Sequence, residues 1–338
     1  MIIIDGSHNE GGGQILRTAL TLGLATGKPF RIEKIRAGRK RPGLLRQHLT
    51  AVQAAAQIGH AEVEGDQINS QELIFSPREI VPGEYRFSIG TAGSTTLVLQ
   101  TLLPVLVLAS KPSILTIDGG THNPAAPPYD FLEKVFVPLL NRLGSRVTTE
   151  LIAPGFFPAG GGTIRVTIEP ALEFKKLELK SRGESRGRMA RAVVSNLPRT
   201  IADRELAVVA EKLSWEPAAL TVEDWPSRGP GNVLLLEVAS ENVTEVFTGF
   251  GERNLRSEAV AENAASQARR YLAAGVAVGE HLADQLLLPL ALTKGGVFTT
   301  LPLSRHSQTN IETIGRFLSA QIQVSKDSNR ICTVEVVV

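Results

Sequence analysis

Gln100-Thr101-Leu102-Leu103-Pro104 has a counterpart near the end of the chain, Gln285-Leu286-Leu287-Leu288-Pro289. In each, a glutamine sits four residues before a proline within an apolar run, and the proline should kink the helix that carries it. Working outward from these two anchors, the chain shows one unit more than once. The first copy reads strand (2–4), glycine-rich loop, and helix with Ile15, Leu16, Ala19, Leu20 and Leu24 on its apolar positions before Gly27. A strand over 30–35, a basic loop and a second helix follow, that helix carrying Leu45, Leu49, Val52 and Ala56 and ending at Gly59. The second copy begins with a strand at Tyr85. It continues with a helix over about 93–109, a strand at 113–117, a loop at 118–129, a helix ending at Gly144, and a strand over 163–168. The third has a helix near 279–292, a strand at 297–301, a polar loop around His306, a helix to about Leu318 and two closing strands.

The spacing between copies is unequal. Gly59 and Gly144 lie 85 positions apart, whereas Gln100 and Gln285 lie 185 apart, which leaves about 100 extra residues before the third copy. They would span about 181–275, with a strand at 190–194, a helix at 201–213, strands near Leu220, Leu234 and Val246, and a helix to Leu272. The expectation is an α+β protein, with sheets covered by helices on one face. Its large domain is formed by 1–180 and 276–338, and a small α/β domain is inserted at 181–275. The repeat also places three loops equivalently, at 36–43, 119–128 and 304–307, where they could face one cleft.

Composition sets limits on what such a fold does. With 338 residues, 43% hydrophobic and 21% charged, the chain is an ordinary globular one, and a net charge of +2 makes no global demand for nucleic acid. A single cysteine, Cys332, excludes an internal disulfide and a cysteine-rich metal site and suits a reducing cytoplasm. The N-terminal apolar stretch is too short and too soon polar for a signal peptide. No run approaches about 18 uninterrupted apolar residues, so no membrane span is expected. The greasiest stretch, 97–108, is broken by Gln100, Thr101 and Pro104.

Several local clusters carry chemistry. From Lys28 to Arg46 stand eight basic residues against one acid, Glu33. Such a cluster attracts phosphate, although a solvated basic face reads the same way. Gln47 and His48 open the helix that follows, whose N-terminal end favours an anion. Gly11-Gly12-Gly13 lies between a strand and a helix, so its amides could cradle phosphate or simply make a tight turn. Glu10 could hold a divalent cation or cap the helix, and Arg17 could reach the same anion. Neither a dinucleotide fingerprint nor a phosphate-loop lysine is present. The prolines after Gly119-Gly120-Thr121-His122-Asn123 could wall a base or stiffen a loop, and Asp284 and Gln285 could read a nucleotide or face solvent. Thr309 followed by Glu312 looks like a capping box, so the last long helix should begin there and leave His306 in a strand-to-helix loop. In that setting a histidine is a nucleophile, an acid–base group or a surface residue.

Together these strings resemble one family, the RNA 3′-terminal phosphate cyclases. The matching stretches are Glu-Gly-Gly-Gly-Gln-Ile-Leu-Arg (10–17), Arg-Ala-Gly-Arg-x-x-Pro-Gly-Leu-x-x-Gln-His-Leu (36–49), Gly-Thr-Ala-Gly-Ser (90–94) and Gln100. Further along come Gly-Gly-Thr-x-Asn-Pro-x-Ala-Pro-Pro (119–128), Pro-Ala-Gly-Gly-Gly (158–162), Leu-Ala-Asp-Gln (282–285) and His306. The resemblance implies a large domain of three repeated βαβαββ-type units with an inserted α/β domain. It also implies an ATP-dependent, metal-dependent reaction, with Mg2+ or Mn2+ bound at Glu10. His306 would attack the α-phosphate of ATP, AMP would pass to an RNA 3′-phosphate, and the neighbouring 2′-hydroxyl would displace AMP to close a 2′,3′-cyclic phosphate. By the same match Arg17, Arg39, Gln47 and His48 would bind phosphates, and Gln100, Pro127, Asp284 and Gln285 would form the nucleotide pocket. Relatives carry a tyrosine at the position of His281, where it stacks on adenine. Histidine stacks over less area, which bears on ATP affinity and base selectivity.

The expected partners are therefore ATP and an RNA with a 3′-phosphate end. A homodimer is compatible with the sequence, which offers no argument for one. A non-catalytic, cyclase-like protein of RNA maturation would lack the nucleophilic histidine, so His306 speaks against it. An enolpyruvyl transferase, with large repeats of similar architecture, would not need the ATP-pocket and His306 matches.

Overall fold

A computed structural model describes residues 1–9, 11–327 and 331–338. The chain starts with β1 (Ile2–Asp5), α1 (Gly13–Thr26), β2 (Phe30–Glu33), α2 (Arg46–Ile58), β3 (Glu62–Glu64) and β4 (Leu73–Ser76). Next come β5 (Glu84–Ser88), α3 (Thr95–Leu106), β6 (Ser113–Gly119), α4 (Tyr129–Phe131), a π-helical turn at Leu132–Phe136, α5 (Val137–Arg142), β7 (Arg146–Ala153) and β8 (Gly162–Glu169). After β9 (Leu177–Leu179) the chain forms β10 (Ser185–Ser195), α6 (Thr200–Leu213), β11 (Leu220–Asp224), β12 (Gly231–Ser240), β13 (Thr244–Phe250) and α7 (Ser257–Ala274). It closes with α8 (Glu280–Leu292), β14 (Gly296–Thr300), α9 (Arg305–Phe317), β15 (Gln321–Lys326) and β16 (Cys332–Val337). The fold is α+β.

The strands form four four-stranded sheets, ordered β1-β2-β4-β3, β5-β6-β8-β7, β9-β14-β16-β15 and β11-β10-β12-β13. In the first three the chain order reads first, second, fourth, third. Each has a parallel opening pair, β1 with β2, β5 with β6 and β9 with β14, and the remaining pairs are antiparallel. In the fourth sheet the order is second, first, third, fourth. The chain leaves the third sheet after β9 and makes the whole fourth sheet before returning at β14.

Burial follows the period of two that a pleated strand imposes. Along β6 buried and half-buried residues alternate without a break. In the fourth sheet the alternation separates two cores. Val193, Val233 and Leu235 join the main apolar cluster, while Ala192, Val194, Leu234 and Leu236 pack under α6 and α7. α1 is buried almost all round, with Leu16, Ala19, Leu20 and Leu22 at the bottom of the main core among α2, α3 and α9.

Two expectations about helix ends change. α9 begins at Arg305, one turn before Thr309, because Ser304 is the cap: its Oγ accepts from Ser307 N at 3.2 Å. Thr309 Oγ1 bonds back to the Arg305 carbonyl, and Glu312 accepts from Asn9 Nδ2 instead of closing a capping box. His306 therefore stands in the first turn of a helix and not in a loop. Gly59 does end α2, but with φ −96, outside the left-handed region. It is needed because a Cβ there would run into Leu24 of α1. Pro104 and Pro289 both lie inside their helices, α3 and α8.

Candidate active site

One cleft of about 670 Å³ takes walls from all three of the stretches expected as equivalent loops, the third of which is the cap and first turn of α9. Arg36 and Arg39 come from the first, Asn123 to Pro128 from the second, and Ser304 and His306 from the third. The cleft gathers ten of the expected residues: Arg17, Arg39, Gln47, His48, Gln100, Pro127, His281, Asp284, Gln285 and His306. The eleventh, Glu10, lies outside the described residues.

At the centre, the first turns of α1 and α9 meet. His306 Nδ1 lies 2.8 Å from Gln14 Oε1. An amide oxygen only accepts, so Nδ1 carries a proton and points it at Gln14; in a neutral ring this tautomer leaves the lone pair on Nε2. Gln14 is turned this way because its Nε2 donates to both oxygens of Asp284, at 2.8 and 2.9 Å. Asn310 Nδ2 adds a donor to the Asp284 backbone carbonyl at 3.1 Å, and its own Oδ1 accepts from Thr18. Burial pushes the Asp284 carboxyl above its ordinary range, and the bond from Gln14 opposes that push. Asp284 thus lines the cleft while its side chain orients Gln14. Gln14 and Asn310 were not picked out as site residues in the sequence. Gln14 lay in the glycine-rich motif as a polar residue opening an otherwise apolar helix, which is the signal that could have found it.

Beside this array the start of α1 is kept open. A Cβ on Gly13 would lie 2.5 Å from His48 Nε2 and 2.9 Å from Arg17 Nη1, so glycine is required for those donors to reach over the helix N-terminus. His48 Nδ1 accepts from Leu45 N at 3.2 Å, which leaves the ring proton on Nε2, toward Gly13. Burial, then the charges of Arg17 and Arg36, hold the His48 pKa down at about 3, so it is a neutral donor at pH 7. Arg36 is partly committed to its own loop, donating to the carbonyls of Arg41 and Gly43 at 2.7 and 2.8 Å, while Arg39 is exposed at the rim. Gln47 Oε1 accepts from Ser94 N at 2.6 Å, which joins the N-terminal ends of α2 and α3. Helix N-termini, a neutral N–H donor and guanidinium groups around an open backbone make a cradle for a chain of phosphates.

The lining also includes a more apolar set of residues. Pro124, Pro127 and Pro128 form one wall, with the Pro127 carbonyl tied to Thr96 Oγ1 at 2.7 Å. Gln100, His281, Gln285 and Leu288 line the same cleft from α3 and α8, and Val246, Thr248 and Phe250 line it from β13. Nothing in the sequence pointed to these β13 residues, because only tertiary packing brings an edge strand to the cleft. Among the described residues no three His, Cys, Asp or Glu side chains come together as a metal cage.

The sequence pattern of the RNA 3′-terminal phosphate cyclases matches residues 8–324. A relative of that name from Koribacter versatilis is 52% identical over 330 residues, covering 97% of this chain and 93% of the relative. Others of the same name come from Ectopseudomonas mendocina, 52% identical over 336 residues (99% and 97% covered), and Salmonella agona, 51% over 319 (94% and 92%). The solved enolpyruvyl transferase NikO of Streptomyces tendae is 11% identical, with a TM-score of 0.28 over 98% of this chain and 65% of NikO, a likeness too low to bear on fold or function. With the match running nearly end to end, the chain belongs to the RNA 3′-terminal phosphate cyclase family.

Proposed function

We propose that this protein is an enzyme that converts an RNA 3′-terminal phosphate into a 2′,3′-cyclic phosphate at the expense of ATP. The observation that carries the reading is the His306–Gln14–Asp284 array, which fixes the Nδ1 proton of His306 on Gln14 inside a cleft lined by Arg17, Arg39 and His48. His306 Nε2 attacks the α-phosphorus of ATP, forming a P–N bond as the bond to pyrophosphate breaks. Gln14 keeps its hold on the Nδ1 proton throughout. Arg17, the His48 Nε2–H and the amides opening α1 offset the charge on the phosphate oxygens. An oxygen of the RNA 3′-phosphate then displaces His306, which regains its lone pair. The RNA 2′-hydroxyl attacks the activated phosphate, AMP leaves, and the ring closes. A 2′-hydroxyl is indispensable for that step, so a DNA end cannot be cyclised this way.

His281 and Pro127 would sandwich the base, with Gln100 and Gln285 beside it; Arg39 and Gln47 would meet the RNA phosphate. Glu10 would hold the Mg2+ or Mn2+ of this reading, whose charge would offset that of the substrate phosphates. Mg2+ commonly binds with few protein carboxylates and substrate phosphates, which suits a site without a cage among the described residues. A cytoplasmic location rests on the single cysteine, which is buried as a thiol. We also read the three like-ordered sheets as three βαβαββ-type units of one domain, 1–180 and 276–338, and the fourth sheet as an inserted α/β domain, 181–275.

The test is incubation with α-³²P-ATP and a divalent metal, followed by a denaturing gel. Wild type should give an acid-labile, alkali-stable labelled band, and adding RNA with a 3′-phosphate should release AMP and yield the cyclic end. His306→Ala should remain unlabelled. Label retained by that variant would remove His306 as the nucleophile. A wild type that binds RNA without taking label would point to the non-catalytic branch of the family.

A further inference from the structure

The proline wall of the cleft hangs between β6 and α4, and its two ends meet where Tyr129 N donates to the Thr121 carbonyl at 3.0 Å. Directly beneath that pinch lies the fully buried ring of His122. Its Nδ1 is 2.8 Å from Thr121 Oγ1 and its Nε2 is 2.8 Å from Asp130 Oδ2. Thr121 Oγ1 accepts from Gly155 N at 2.9 Å, and besides Nδ1 it has the Gly155 carbonyl as an acceptor at 3.4 Å. A carboxylate only accepts, so Nε2 carries a proton and donates it to Asp130.

The second oxygen of Asp130 accepts from Arg191 of β10, whose side chain is 15% exposed. Arg191 reaches Glu223 of β11 at 3.5 Å, and Glu223 accepts from Trp225 Nε1 at 2.8 Å. The Trp225 ring returns to His122, edge to face, with centroids 5.3 Å apart. The circuit is closed: it begins and ends under the nucleotide wall, and half of it belongs to the fourth sheet. Core stability alone does not call for such an arrangement, since apolar residues of similar volume replace a buried ion pair at little or no loss. What the circuit adds is direction, because each donor and acceptor fixes the next in one orientation.

We propose that through this circuit the fourth sheet sets the affinity of the cleft for ATP. Asp130, Arg191 and Glu223 are positioning residues: they hold the Pro124–Pro128 wall at its working distance from His281 without touching the nucleotide. The inference rests on the reading of the cleft as an ATP site.

The experiment compares wild type with Asp130→Asn, Arg191→Gln, Arg191→Lys and Glu223→Gln, recording KM for ATP and kcat of adduct formation together with the melting temperature. The expected result is a KM raised about tenfold or more in Arg191→Gln and Asp130→Asn, with kcat within about threefold of wild type, as for groups that orient a binding surface. Arg191→Lys should recover part of the loss, and Glu223→Gln, which keeps an acceptor for Trp225, should show a smaller one. If the Asp130 and Arg191→Gln variants do not fold, the Lys and Glu223 variants decide. A lowered melting temperature with an unchanged KM in the folded variants would overturn the proposal and leave the circuit as packing. A wild type that binds ATP but forms no adduct overturns only the catalytic reading, and the same comparison then runs on ATP dissociation constants from calorimetry. A wild type that binds no ATP overturns both.

Discussion

A neutral histidine can keep its proton on either ring nitrogen, and only the nitrogen holding the lone pair can attack phosphorus. Gln14 makes that choice for His306, and Asp284 makes it for Gln14. Gln14→Ala should therefore slow adduct formation by about 10- to 100-fold, the loss usual when the partner that orients a working histidine is removed. Single-turnover labelling reads this directly, and a rate equal to wild type would show that the tautomer is set elsewhere. His48 serves in the opposite way, as a donor that never charges in the working range. Its folded pKa of about 3 lies below the unfolded value, so its contribution to stability is complete above about pH 6.5 and is lost as pH falls toward 3. Over that window the loss should approach about 1.4 kcal/mol per pH unit. His48→Gln should remove this share of the slope in urea titrations at pH 4, 5 and 7, whereas an unchanged slope would mean that the imidazole is charged in the folded protein. The sequence identified His306 and His48 but not the wiring between residues 14, 284 and 306, since hydrogen-bond partners almost 300 positions apart leave no local pattern.

At the scale of elements, the misplaced start of α9 is instructive. Thr309 and Glu312 satisfy the capping-box spacing, yet Ser304 reaches Ser307 N first, and the turn it adds is the one that carries His306. Ser304→Ala should lower stability by about 1 kcal/mol, the usual cost of an N-cap. It should also reduce labelling by more than that stability loss explains, because the frayed turn is the one that carries the proposed nucleophile. Labelling that tracks the folded fraction alone would separate the cap from the chemistry. α8 has a different anchor. Glu245 of β13 is buried and accepts from Gly279 N at 2.5 Å, at the start of the helix that carries His281 and Asp284. Burial pushes its carboxyl up to about 8. With the folded pKa above the unfolded one, the protonated acid stabilises fully below about pH 4.5, and that contribution is lost as pH rises toward 8. Glu245→Gln should flatten stability over this window by about 2 kcal/mol or more, measured by denaturant midpoints at pH 5 and 8. A parallel shift at both pH values would refute the assignment. Elements themselves were largely readable, because strands of alternating burial and a helix such as α1, ended by Gly27, follow from local periodicity and backbone freedom. The donors that fix their ends were not, because Ser304 competes with Thr309 and Glu245 comes from another sheet.

For the molecule as a whole, unequal spacing between Gln100 and Gln285 led to the expectation of extra residues over 181–275, a stretch whose strands β10 to β13 form the fourth sheet with α6 and α7 packed on it. What spacing could not tell is that this sheet has two apolar faces. Ala192, Val194, Leu234 and Leu236 are covered by α6 and α7, but Val193, Val233, Leu235 and Val246 belong to the main core. A sheet whose second face has no cover of its own does not stand alone, since each large aliphatic side chain returned to water costs about 1.5–3 kcal/mol. The proposed inserted domain should then be a topological unit without being an independent folding unit. Residues 181–275 produced alone are expected to bind a hydrophobic dye and to lack sharp near-ultraviolet dichroism, while the full chain unfolds in one transition seen alike by tryptophan fluorescence and far-ultraviolet dichroism. Both tryptophans, Trp215 and Trp225, lie in this segment, so fluorescence follows it and dichroism follows the whole. Two separated transitions, or a soluble monomeric fragment with native dichroism, would show that the interface is a docking contact between autonomous domains. In that case, coupling between the fourth sheet and the cleft would have to run through the polar circuit at Asp130 and Arg191 without a shared core.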